Sequence, residues 1–146
     1  MTKIINVIDK EPIEISLSQA RHTILIHENE SYTYFDEGST RYVYRNKDLS
    51  KVLKVCKVID DNYFNKEEFD IYVKTIDKSK LAKTKLLSTG LIEQEFCTPL
   101  QYSIKELTDE QKEFANMCRL EVGWNSENKL LCYDLSEYLK YDNNGN

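Results

Sequence analysis

Hydrophobic and polar positions change period partway along the chain. Before residue 60 they alternate: Ile13 and Ile15 flank Glu14, Ile24 to Ile26 is a short apolar run, Tyr32 and Tyr34 flank Thr33, and Tyr42 and Tyr44 flank Val43. β-branched and aromatic residues at a period of two suit a pleated, half-buried surface. Turn formers at 9–12, 28–30 and 36–38 bound these segments. The pattern predicts an antiparallel sheet of about five strands, the last over 51–59.

Beyond Asn65 the period lengthens. Phe69, Tyr72, Val73 and Ile76 recur at i, i+3, i+4 and i+7, the apolar stripe of a helix of about twelve residues. Asn65 stands as its N-cap, with Glu67 and Glu68 in the first turn, where the helix dipole favours carboxylates. Residues 91–96 read as a further strand. Thr108-x-x-Gln111 is a capping-box signature, and it opens a helix over about 108–119 with Phe114, Met117 and Cys118 on one face. Val122-Gly123-Trp124 and Leu130 to Tyr133 flank a polar turn and predict a hairpin. Residues 134–141 read as a short helix. No repeat or linker divides the chain, so the expectation is one α+β unit: a sheet and helix over 1–97, a smaller helix and hairpin over 98–141, and a flexible tail over 142–146.

Composition narrows the function classes. A net charge of -5 offers no basic field for a phosphate backbone, so nucleic-acid binding is not expected, and lysines interspersed among the carboxylates argue against DNA mimicry. No apolar stretch reaches signal-peptide or membrane-span length, which predicts a cytoplasmic protein without a membrane partner. Cys56, Cys97, Cys118 and Cys132 lack C-x-x-C spacing, and His22 and His27 lie far from three of them; reduced, buried thiols are expected rather than a cysteine zinc site. Abundant Lys, Asn, Ile and Tyr, with few Arg and Gly, suit an AT-rich genome such as that of a phage or large DNA virus.

The segment from Gly38 to Lys54, G-S-T-R-Y-V-Y-R-N-K-D-L-S-K-V-L-K, resembles the first hairpin of a protein-kinase nucleotide lobe. In that family a glycine turn covers the ATP phosphates, and a strand lysine held by a helix glutamate reaches the α/β-phosphates. The resemblance implies that Gly38 lies in the turn, Tyr42-Val43-Tyr44 is the returning strand, Lys54 is the strand lysine and Glu68 the helix glutamate. Glu95-Phe96-Cys97 is similar to the hinge that holds adenine through its backbone. Alignment on the C-terminal hairpin sets Asp134 at the metal-binding Asp, Glu121 at the metal-binding Asn and Asn116 at the catalytic Asp. A rival register sets Cys118-Arg119-Leu120 against the H-R-D triplet and Asn125 against the metal Asn. Neither register keeps the catalytic carboxylate, and an amide at Asn116 cannot accept the substrate proton.

The resemblance therefore implies a reduced pseudokinase with no catalytic residue. Gly38, Lys54, Glu68, Glu95 and Asp134 are its nucleotide-binding candidates, Glu121 and Asp134 its metal ligands, and ATP and Mg²⁺ its cofactors. A chain of 146 residues is shorter than a two-lobed kinase, so apolar surface left uncovered is expected to bind a protein partner, such as a viral host target. Trp124, Tyr133 and Tyr138, with Tyr102, Phe114 and Tyr141, are the aromatic anchor candidates, beside Glu121, Glu127 and Glu137; a self-complementary patch would give a homodimer. The rival expectations are an unrelated α+β adaptor, with Lys54, Glu68 and Asp134 as surface charges, and a minimal active phosphotransferase using Glu121 or Asp134 as base.

Overall fold

The computed structural model describes residues 2–8, 12–58 and 60–138. In chain order the elements are β1 (Lys3–Asn6), β2 (Thr23–His27), β3 (Glu30–Glu37), β4 (Arg41–Asn46), β5 (Lys51–Cys56), α1 (Tyr63–Lys74), β6 (Thr84–Leu86), β7 (Ile92–Glu95), β8 (Thr98–Pro99), α2 (Asp109–Met117), β9 (Val122–Trp124) and β10 (Leu130–Cys132). The class is α+β: a seven-stranded sheet in the order β1-β2-β3-β4-β5-β7-β6, a three-stranded sheet in the order β10-β9-β8, and two helices.

The large sheet departs from the expected five antiparallel strands in two places. Residues 3–6 form an edge strand that runs parallel to β2, from Lys3 opposite Thr23 to Asn6 opposite Ile26. Four residues without alternation carry too little pattern to announce it, and Ile4 stays 64% exposed because an edge strand has one open side. The alternation at Ile13 and Ile15 belongs to no strand. Those two side chains are buried in irregular backbone, in one core with Leu25, Tyr32, Tyr42, Tyr44, Leu53 and Val55. Alternation records which side chains enter a core, and a segment can satisfy it without joining a ladder.

A register shift between Tyr34 and Asp36 interrupts the pairing of β3 with β4. An extra residue bends a strand and re-aims the residues after it. Here the turn over residues 38–40 comes to lie beside the end of β5.

α1 corrects the expectation more sharply. Its N-cap is Asn62, in the left-handed region at φ 50° and without a side-chain cap bond, while Asn65 sits inside the helix and is fully buried. The inward face carries Asn65, Glu68 and Ile71, whereas Val73 is 54% and Ile76 99% exposed. The helix is thus turned only partly onto its apolar stripe: Tyr72 packs against a core and Phe69 is half-buried, Val73 faces out, Ile76 lies beyond the helix end, and two polar side chains are inside.

α2 follows the pattern it was read from. Thr108 Oγ1 accepts from the Gln111 backbone N–H, and Gln111 Oε1 accepts from the Thr108 N–H, so the capping box is complete. Phe114 and Cys118 are buried in a second core with Ile71, Leu81, Val122, Trp124, Cys132, Leu135 and Tyr138. The predicted hairpin is β9 and β10, with Leu130 opposite Trp124, and β8 adds a third strand. Gly123 is required there, since a Cβ would stand 2.5 Å from the Thr98 carbonyl oxygen. Of the helix expected over 134–141, only a single 3₁₀ turn at Leu135–Glu137 falls within the described residues; Tyr141 and the tail lie outside them. Among the described residues no helix is long and apolar enough to cross a membrane.

Candidate functional site

Between the two cores lies a cleft of about 250 Å³. Gly38, Lys54, Glu95, Glu121, Tyr133 and Asp134 all line it, and Val43, Val52 and Pro99 supply apolar wall. Residues separated by nearly a hundred positions therefore meet because the end of β10 returns beneath β5.

Pleating decides which side chains of β4 and β5 reach the cleft. Val43 stands opposite Lys54 and Arg41 opposite Cys56, so Arg41, Val43 and Lys54 share one face while Tyr42, Tyr44, Leu53 and Val55 fill the core on the other. Lys54 is 4% exposed and Glu68 fully buried. The Lys54 ammonium donates to both Glu68 oxygens at 3.1 Å and to the Tyr133 carbonyl at 2.5 Å. A primary ammonium has three donors, and all three are engaged.

Arg41 completes the cluster, and nothing in the sequence pattern singled it out. Its guanidinium donates to Glu68 Oε2 at 2.9 Å, to Glu68 Oε1 at 3.2 Å, to Asn65 Oδ1 at 3.4 Å and to Asp134 Oδ1 at 3.4 Å. Glu68 also accepts from the Leu135 backbone N–H at 3.1 Å. Asn65 in turn donates to the carbonyls of Lys54 and Gly90, each at 2.9 Å, which explains its place inside the helix. Two cations and two carboxylates thus neutralise one another, with Glu68, Lys54 and Arg41 buried and Asp134 partly open to the cleft. Alternation alone would have put Arg41 on the face of Val43, but only the β4–β5 register sets that face beside Lys54.

Electrostatics follow from this packing. Burial pushes the Glu68 carboxyl up, but Lys54 and Arg41 together pull harder and hold it down at about 2. Burial lowers the Lys54 ammonium, with Glu68 opposing and Arg41 adding to the fall. Glu121 moves the other way: partial burial raises it, the Asp134 and Glu137 charges add, and the Tyr133 hydroxyl opposes.

The remaining predicted residues are differently employed. The Gly38 N–H donates to the Arg41 carbonyl at 2.9 Å within its turn, so that donor is not free for a phosphate. The Glu95 carboxylate accepts from the Lys83 N–H at 2.8 Å and from Asn125 Nδ2 at 3.4 Å, and the hinge N–H groups of Glu95 and Phe96 are bonded to the carbonyls of Lys83 and Ser50. Asn116 is exposed in the last turn of α2 and does not line the cleft. Arg119, from the rival register, pairs with Glu137 at 3.0 Å.

Two of the three expected partner anchors need correction. Trp124 and Tyr138 are 9% and 6% exposed and finish the second core, where there is no surface left to offer. Tyr133 is half-buried and faces the cleft. All four cysteines are buried and free of disulfides, and burial with the neighbouring Glu95 charge raises the Cys97 thiol to about 12, which keeps that thiol protonated.

The cleft is acidic. Asp36, Glu37, Glu95, Glu121 and Asp134 line it against Lys54 and Arg41, whose charges are already used. Glu121 and Asp134 offer hard oxygen donors that fit Mg²⁺ with water completing its shell, although Arg41 already neutralises one Asp134 oxygen. A Mg²⁺ ion would supply the positive charge a polyphosphate needs there. The whole chain was set against protein-family models, curated proteins and solved structures, and none of the three comparisons finds a match.

Proposed function

We propose that this chain is a non-catalytic, kinase-like module that acts by binding another protein and whose cleft has kept only weak, Mg²⁺-dependent affinity for ATP. The observation that carries the reading is the Lys54 ammonium: it makes the glutamate pair on which kinases depend, yet its three donors are all spent inside the protein. A phosphate oxygen must displace the Tyr133 carbonyl to reach it. The acidic lining repels a bare triphosphate, so Glu121 and Asp134 admit the nucleotide only with a divalent ion. Asp134 Oδ1 already accepts from Arg41 at 3.4 Å and from the Ser136 hydroxyl at 2.9 Å.

Calorimetric titration with ATP, with and without Mg²⁺, tests this. Binding is expected only with Mg²⁺, in the high-micromolar range or weaker, without phosphate release. Micromolar ATP binding in EDTA would refute the reading. The partner-binding part rests on exposed apolar residues of the C-terminal third, Tyr102 at 60% and Ile104 fully exposed. Ile104→Asp is expected to abolish association with the partner or a second copy, measured by sedimentation or pull-down.

One observation favours a second reading. Burial and the neighbouring Asp134 and Glu137 charges raise the Glu121 carboxyl above its ordinary value, the direction that makes a carboxylate a better general base, as a minimal phosphotransferase would require. Turnover that is present in the native chain and lost in Glu121→Gln would establish that reading and end the first.

A further inference from the structure

We propose that His27, Glu28 and Glu93 bind one zinc ion on the face of the large sheet opposite the cleft. His27 ends β2 and Glu28 begins the turn into β3, while Glu93 is in β7; β3, β4 and β5 separate them in sheet order. Glu93 stands opposite Leu53, a residue of the apolar core, so it points away from Lys54. The curl of the sheet brings β2 and β7, each second from an edge, toward one another.

The geometry is that of three ligands facing a common point. His27 Nε2 lies 3.0 Å from Glu28 Oε1 and 3.5 Å from Glu93 Oε1, and one ligand atom from each of the three residues falls within 4.8 Å of the others. Ligands held at about 2.0–2.1 Å around a tetrahedral zinc are roughly 3.3–3.4 Å apart, so the two separations from His27 Nε2 need little adjustment.

Two buried atoms are left without hydrogen bonds. Glu93 is 9% exposed, yet its Oε1 has no hydrogen-bond partner, and neither has His27 Nε2 despite the two carboxylates beside it. A buried carboxylate oxygen facing a ring nitrogen that does not donate to it is costly unless a cation lies between them. Lys51 Nζ does not fill that role: it is 3.8 Å from the other Glu93 oxygen and partly in solvent. One imidazole and two carboxylates are a zinc-type donor set with the fourth position open to water, and the Glu28 side chain, 66% exposed, leaves a path for entry. The ion would clasp β2 to β7 across the curled sheet, and it neither uses nor requires the cleft.

Equilibrium dialysis of the full chain against Zn²⁺ alone, with metal analysis, is the test. One ion per chain is expected, with at least a tenfold loss of affinity in both His27→Ala and Glu93→Gln and a rise in melting temperature that disappears in the same variants. Co²⁺ added to the native chain should give visible bands of a four- or five-coordinate nitrogen and oxygen site. This readout needs no variant to fold. No uptake by the native chain, uptake unchanged in both variants, or a thiolate-to-metal charge-transfer band that places the ion at the cysteines would each overturn the proposal.

Discussion

The two faces of β5 are built from neighbouring residues of one strand and are opposite in kind. Leu53 and Val55 enter an apolar core with Tyr42, Tyr44 and Leu25, where contact is non-directional and many residues share the work. Lys54, one position along, enters a cluster of four charges whose hydrogen bonds fix its partners individually. The first face stabilises by removing surface from water. The second stabilises little in net terms, because Lys54, Arg41 and Glu68 lost their hydration on entry, but it ties the sheet, α1 and the chain after β10 in one geometry. Conformational order at the joint between two cores is therefore obtained with polar groups, and the surrounding apolar packing supplies the stability that tolerates them.

The largest expected effect breaks the polar face. Glu68→Ala leaves Lys54 and Arg41 buried without their anion and should cost about 4 kcal/mol in urea unfolding. Glu68→Gln keeps the shape and should still lose a large part of it. A loss below that of a surface mutation would show the cluster to be solvated and the contrast between faces false. Leu53→Ala, on the apolar face, should cost about 3 kcal/mol through lost burial and a cavity. Its cost should not depend on pH.

Titration sharpens the same contrast. The Glu68 pKa falls on folding from 4.5 to about 2, so its contribution is fully present above pH 4.5 and is lost as pH drops toward 2. The loss is on the order of 3 kcal/mol, since each pH unit between the folded and unfolded values corresponds to about 1.4 kcal/mol. Leu53→Ala should keep this acid slope and Glu68→Gln should flatten it, read from unfolding curves at several pH values. The smallest effect concerns a polar tether on the apolar face. The Tyr44 hydroxyl donates to the Ala20 carbonyl at 2.6 Å, and Tyr44→Phe should cost about 1 kcal/mol.

Local physics was legible in the sequence wherever it acted alone. The Thr108–Gln111 capping box, the β9–β10 hairpin and the strands over 23–56 each have causes within a few residues, namely a side chain that reaches a nearby backbone donor or a period of two that suits a pleat. Lys54, Glu68 and Asp134 stood out in the sequence as residue types in a given order, and the structure lines one cleft with Lys54 and Asp134, beside Gly38, Glu95 and Glu121, while Glu68 is buried behind Lys54. The tertiary structure decided the rest. Which side of α1 turns inward could not follow from hydrophobicity alone, since Asn65 and Glu68 are buried with their hydrogen bonds and Val73 is left in water. Arg41 became a member of the cluster through the register of two strands, β1 through a parallel pairing across sixteen intervening residues, and His27 met Glu93 through the curl of a whole sheet. Sequence patterns report what each segment prefers locally; the partners of a buried charge are set by long-range closure, which leaves no periodic trace along the chain.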